Sequence, residues 1–172
     1  MTDLARLYAQ IALLKRGPQD LPASTLLLAI TVLGYVTINL LVSLALPGDT
    51  GPWLAILVID VLFTLAWYVA LLQLSRRPER ILQTTTAVFG YRAVLTPISI
   101  VSTWMVRRFG DDATWLLPAS VAYTVVLVWM IVANGHVLKA ALEFSALYCY
   151  ALVILEILTG QLVLLALVPL PR

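Results

Sequence analysis

Residues 53–74 read WLAILVIDVLFTLAWYVALLQL, an unbroken apolar run whose one charged side chain is Asp60. A helix rises about 1.5 Å per residue, so this run covers about the thickness of a bilayer's hydrocarbon core. It is far too long for an ordinary strand. Breakers close it on both sides, Pro47-Gly48-Asp49 before it and Ser75-Arg76-Arg77-Pro78 after it. The segment therefore reads as a transmembrane helix.

Working outward, four more stretches satisfy the same requirement, at about 23–46, 84–106, 115–133 and 142–168. The stretch at 115–133 stops at Asn134-Gly135-His136. The stretch at 84–106, the least apolar, stops at Arg107-Arg108-Phe109-Gly110-Asp111-Asp112. The predicted fold is an all-α, polytopic transmembrane helical bundle of five spans, a single membrane domain over residues 1–172. Composition agrees. Of 172 residues 62% are hydrophobic and 12% charged, and the mean hydropathy is +0.97. Soluble domains carry about 45–50% apolar and about 25% charged residues. A chain this small cannot hide such an excess from water, which excludes a soluble globule and a disordered chain alike. The first run starts late, is long and lacks a small-x-small site, so it is not read as a cleavable signal peptide.

The segment 3–16 has a different pattern. Leu4, Leu7, Tyr8, Ile11 and Leu14 recur at helical spacing, with Arg6, Gln10 and Lys15 elsewhere on the wheel. Thr2 and Asp3 suit its start and Gly17-Pro18 its end. A short amphipathic interfacial helix on the bilayer surface fits this pattern, and so does a helix packed against the bundle. Orientation follows from the basic residues. A cytoplasmic N-terminus places Arg6, Lys15, Arg16, Arg76, Arg77, Arg80 and Lys139 inside and only Arg107, Arg108 and Arg172 outside. Five spans then put the C-terminus outside, with Trp53, Trp104 and Trp115 at one outer boundary. The compact, short-looped layout suggests a bacterial inner membrane.

Three charged side chains fall well inside spans: Asp60, Arg92 and Glu156. Each costs roughly 2.5–3.5 kcal/mol at a helix centre on insertion scales, so each needs a reason. Their depths let Arg92 reach either acid, with Glu156 the preferred partner. The resulting intramembrane charge cluster reads as a structural ion pair, a proton or ion pathway, or a contact with a partner protein. Around Arg92, Gly90 and Tyr91 precede it and Pro97 follows. Glycine permits close helix approach, and proline removes one backbone hydrogen bond, which predicts a kinked, packed central helix. The hydroxyls of Thr84, Thr85, Thr86 and Thr96 can bond carbonyls or neighbouring helices, and Asn39 and Gln161 can hydrogen-bond between helices.

Catalytic and cofactor signatures are missing. One cysteine, Cys149, and one histidine, His136, exclude an internal disulfide, a cysteine-based metal centre and a bis-histidine haem within one chain. There is no nucleophile elbow, zincin motif or glycine-rich phosphate loop. A net charge of +2 without a long basic run argues against nucleic acid. No enzyme activity and no cofactor are expected, and the partners are the lipid bilayer and other membrane proteins or copies of this chain.

Two stretches resemble the Yip family of five-span membrane proteins. Asp49-Thr50-Gly51-Pro52-Trp53 is similar to its Asp-Leu-x-Gly-Pro element, although here it precedes the second span. Phe89-Gly90-Tyr91, with Pro97 downstream, is similar to its Gly-Tyr…Pro element. The resemblance implies a five-span bundle with a cytoplasmic N-terminus, and a GTPase partner is not carried over. The leading expectation is a non-enzymatic subunit, scaffold or assembly factor that works through helix–helix contacts. The alternative is a small oligomeric transporter or channel using Asp60, Arg92 and Glu156, and a third is a lipid-handling protein using the basic inner face.

Overall fold

The computed structural model describes residues 2–45, 52–112 and 114–168. Its order is α1 (Thr2–Ala12), a 3-10 turn (Pro18–Asp20), α2 (Thr25–Ala45), α3 (Trp53–Leu74), a second 3-10 turn (Pro78–Arg80), α4 (Ile81–Arg108), α5 (Leu116–Leu142) and α6 (Ala146–Leu167). The described residues are all-α. Four helices, α2, α3, α5 and α6, are long and apolar enough to cross a membrane.

α4 fails that apolarity criterion for a physical reason. It packs on α1, α2, α3 and α5, and the eight consecutive residues Thr84–Tyr91 are all buried. Eight residues make more than two turns, so every face of this half of α4 meets protein and none needs to be lipid-soluble. Of the three threonine hydroxyls here, Thr85 Oγ1 is satisfied within the helix by donating to the Ile81 carbonyl at 2.6 Å, whereas Thr84 Oγ1 and Thr86 Oγ1 are buried without a hydrogen-bond partner. The helix continues through Pro97, where the lost amide leaves the Ala93 carbonyl without its usual donor.

Both ends of the bundle are fixed by specific contacts. At one end the Arg77 and Arg80 guanidinium groups hold the Glu143 carboxylate at 2.8 and 2.6 Å. Arg80 also donates to the carbonyls of Ala140 and Ala141, which ties the α3–α4 turn to the end of α5. These two arginines hold the Glu143 carboxyl below the usual carboxylate range. At the same end Gln83 Nε2 donates to the Leu21 carbonyl beside the start of α2. At the opposite end Phe109 stacks between Trp104 and Trp115. α2 to α6 therefore each run between the same two ends.

Several expected boundaries shift. The N-terminal helix ends at Ala12 instead of residue 16, because Leu14 turns into the left-handed region (φ 61) and Lys15 N closes back on the Gln10 carbonyl. The helix expected to stop at Asn134-Gly135-His136 runs on to Leu142. Asn134 directs its side chain sideways into the bundle instead of capping, and Gly135 leaves room for the ring of Tyr150. The last helix accordingly starts at Ala146, after Glu143 makes a left-handed turn.

Of the two readings of the N-terminal stripe, the structure has contact with the bundle. Ile11 belongs to the main core, and Leu4, Leu7, Tyr8 and Leu14 pack against it. The Tyr8 ring lies over Gly90. Its hydroxyl is 2.6 Å from Thr31 Oγ1, and because that threonine donates to Leu27 O, Tyr8 is the donor. Trp129 Nε1 donates to the Ala12 carbonyl at 3.0 Å, and His136 Nε2 lies 3.1 Å from the Arg16 carbonyl.

Candidate functional site

Arg92, Glu156 and Asp60 come together, from α4, α6 and α3. Arg92 Nη2 donates to Glu156 Oε1 at 2.7 Å. Its Nη1 donates to Thr64 Oγ1 at 2.8 Å and lies 3.6 Å from Asp60 Oδ1. One guanidinium thus faces two carboxylates, and the fold treats those two acids differently.

Glu156 is enclosed. Its side chain is 3% exposed, and its second oxygen accepts from Asn134 Nδ2 at 2.8 Å. The Tyr68 hydroxyl lies 2.9 Å from that oxygen and 2.6 Å from Asn134 Oδ1, and it has one proton to give to either. Donors therefore surround this carboxylate as an anion, which offsets the cost of burying it. Asp60 is open. Its side chain is 34% exposed, and Oδ2 accepts from the Tyr35 hydroxyl at 2.8 Å.

That exposure is to a cleft. A space of about 510 Å³ between α2, α3 and α4 reaches from Trp53, Trp104, Arg107 and Arg108 at its mouth to Tyr35 and Asp60 at its floor. A second space of about 270 Å³ shares Tyr35, Asn39, Asp60 and Ser99 and reaches Arg92, Glu156 and Gln161. The wall hydroxyls bond within α4: Thr96 Oγ1 donates to the Arg92 carbonyl, Ser99 Oγ to Thr96 and Thr103 Oγ1 to Ser99. Having used their protons, they offer the cleft lone pairs only. Chemically the floor is an anionic, acceptor-rich surface.

The other residues singled out by sequence lie elsewhere. Gly90 and Tyr91 are in the packed half of α4 against α1, and Pro97 follows one turn after Arg92. Asn39 donates to the carbonyl of Tyr35 in its own helix, not across to a neighbour. Cys149 is a buried free thiol in the core. Asp49, Thr50 and Gly51 lie outside the described residues, while Pro52 and Trp53 open α3. Sequence reasoning missed Tyr35, Thr64, Tyr68 and Asn134. Among the described residues no three His, Cys, Asp or Glu side chains assemble as a metal site.

No family model matches the chain, and neither does any curated protein or any solved structure.

Proposed function

We propose that this chain is a small, non-enzymatic transport unit of a bacterial inner membrane. In this reading it crosses the bilayer five times, with its N-terminus in the cytoplasm and its C-terminus outside. α4 is the fifth span, its polarity explained by its surroundings of protein. α1 lies in the inner leaflet, its stripe on the bundle and the exposed Asp3, Ala5 and Arg6 toward headgroups. The Arg92–Glu156 pair holds the helices in register, and Asp60 is the group that meets the solute. Copies of this chain, or another membrane protein, complete the path.

The observation that carries this reading is the contrast between the two acids: Glu156 enclosed by donors, Asp60 open to the cleft. An acid inside a span serves function when it remains accessible and titratable. The scaffold reading, by contrast, rests on apolar faces of α2, α3, α5 and α6 that lipid covers equally well. The Yip resemblance adds the five-span expectation and no activity.

The test is charge movement in proteoliposomes on a solid-supported membrane. A pH step on the cleft side is expected to displace charge with the wild-type protein and not with Asp60→Asn, whose fold is intact by circular dichroism. Identical signals from the two proteins would overturn the transport reading. A defined heteromeric complex, isolated under mild detergent and unaffected by Asp60→Asn, would favour the scaffold.

A further inference from the structure

We propose that the cleft is a binding site for an amine-bearing zwitterion, its ammonium on Asp60 and its anionic group at Arg108. This deepens the transport reading and rests on it. The floor sets the first half of the specificity. Arg92, Glu156 and Asp60 sum to one net negative charge, and of the two acids only Asp60 lines the larger space. The hydroxyls of Thr96, Ser99 and Thr103 bond their own helix and present acceptors. A ligand group that donates in several directions and carries positive charge matches such a surface, and an ammonium does both.

The mouth sets the second half. The exposed Arg108 guanidinium stands there, and its charge disfavours a simple cation passing to the floor. Arg108 lies 5.9 Å from the Phe109 ring centroid and is exposed. From Ser99 to Arg107 is eight residues, roughly 12 Å along α4, a gap that long arginine side chains shorten. The site is therefore a dipole, negative inside and positive at the rim. A molecule with the opposite dipole satisfies both ends, while one with a single charge meets repulsion at one of them. Trp53 and Trp104 flank the entrance. The volume of about 510 Å³ falls in the usual range of small-molecule sites. Phosphoethanolamine chemistry fits this description, either as a free solute or as the headgroup of phosphatidylethanolamine.

The experiment is a titration of the full chain in phosphatidylcholine nanodiscs, read by tryptophan fluorescence. The probes are glycerophosphoethanolamine, ethanolamine and glycerol phosphate. The zwitterion is expected to bind about tenfold or more tighter than either single-charge probe. Asp60→Asn and, separately, Arg108→Gln are each expected to weaken it by a similar factor. Arg108 is exposed, so its variant tests the claim without disturbing the interior. Phosphatidylethanolamine added to the nanodiscs competes with the soluble probe if the lipid is the natural source and does not if the solute is. Ethanolamine binding as tightly as the zwitterion, with Arg108→Gln unaffected, overturns the zwitterion and leaves the Asp60 cleft standing. Equal binding of every probe to wild type and Asp60→Asn overturns both.

Discussion

Arg92 is the residue on which the interior depends, because from α4 it reaches two other helices, α3 and α6. It binds Glu156 of α6 and Thr64 of α3 and faces Asp60. Arg92→Leu leaves Glu156 enclosed with no cation, a change that typically costs roughly 3–5 kcal/mol, less where the acid takes up a proton. Arg92→Leu with Glu156→Gln together should recover much of that loss, because no enclosed charge remains. Asp60→Asn should cost far less, since Asp60 is partly solvated and retains the Tyr35 hydroxyl. Unfolding of the variants in mixed detergent micelles gives the order. Equal stability of the single and double variants would mean that the pair does not hold the bundle. All three charges were legible in the sequence because a charge in a span stands out by its cost. Tyr35, Thr64, Tyr68 and Asn134 were not, because tyrosine, threonine and asparagine are cheap enough in a span to carry no alarm singly. Their spacing does carry a signal. Asp60, Thr64 and Tyr68 recur every four residues on α3, as Thr31, Tyr35, Asn39 and Ser43 do on α2, and such stripes mark one polar, protein-facing side of an apolar helix.

Among the elements, α1 and the α3–α4 turn are where local chemistry and assembly meet. The apolar stripe of α1 was readable from periodicity, but its destination was not, since a lipid surface and a protein groove ask for the same residues. Gly90 decides the matter in the folded chain: a Cβ there would enter the Tyr8 ring. Gly90→Ala should therefore push α1 away, with roughly tenfold or faster amide exchange over residues 3–12 and little change in α5 and α6, in line with the cost of overpacking. Unchanged protection of α1 would show that Tyr8 does not anchor it. At the turn, the arginine pair lowers the pKa of Glu143 below its value in the unfolded chain. The sign is then fixed: the contribution is complete above the ordinary carboxylate value of about 4.3 and is lost as pH falls through the lower folded value. Exchange at residues 75–80 should stay slow from neutral pH down to that range and quicken below it. Glu143→Gln should remove the pH dependence, leaving the bonds from Arg80 to Ala140 and Ala141 as the remaining tie.

At the scale of the whole molecule the question is how many times the chain crosses. Four helices qualify by apolarity alone, and a four-span protein would keep both termini on one side with α4 lying elsewhere. Geometry argues otherwise. The turn before α4 is held to the end of α5 by Arg80 and Glu143, while the far end of α4 meets Trp115 at the start of α5 through Phe109. α4 therefore covers the same distance as α5, its antiparallel neighbour, and whichever one crosses the bilayer carries the other with it. Apolarity measures contact with lipid, which α1, α2, α3 and α5 largely deny α4, so the criterion does not speak against the proposed fifth span. In the proposed reading the basic residues set the direction. Reporter fusions after Arg80 and after Lys139 should report the cytoplasm, and a fusion after Asp112 the opposite side. The Asp112 fusion is decisive. Cytoplasmic activity there, with cytoplasmic activity at Arg80, would place α4 in the plane of the membrane. Asp60 would then have to reach water along another route, since the cleft's mouth at Arg107 and Arg108 would no longer face outward.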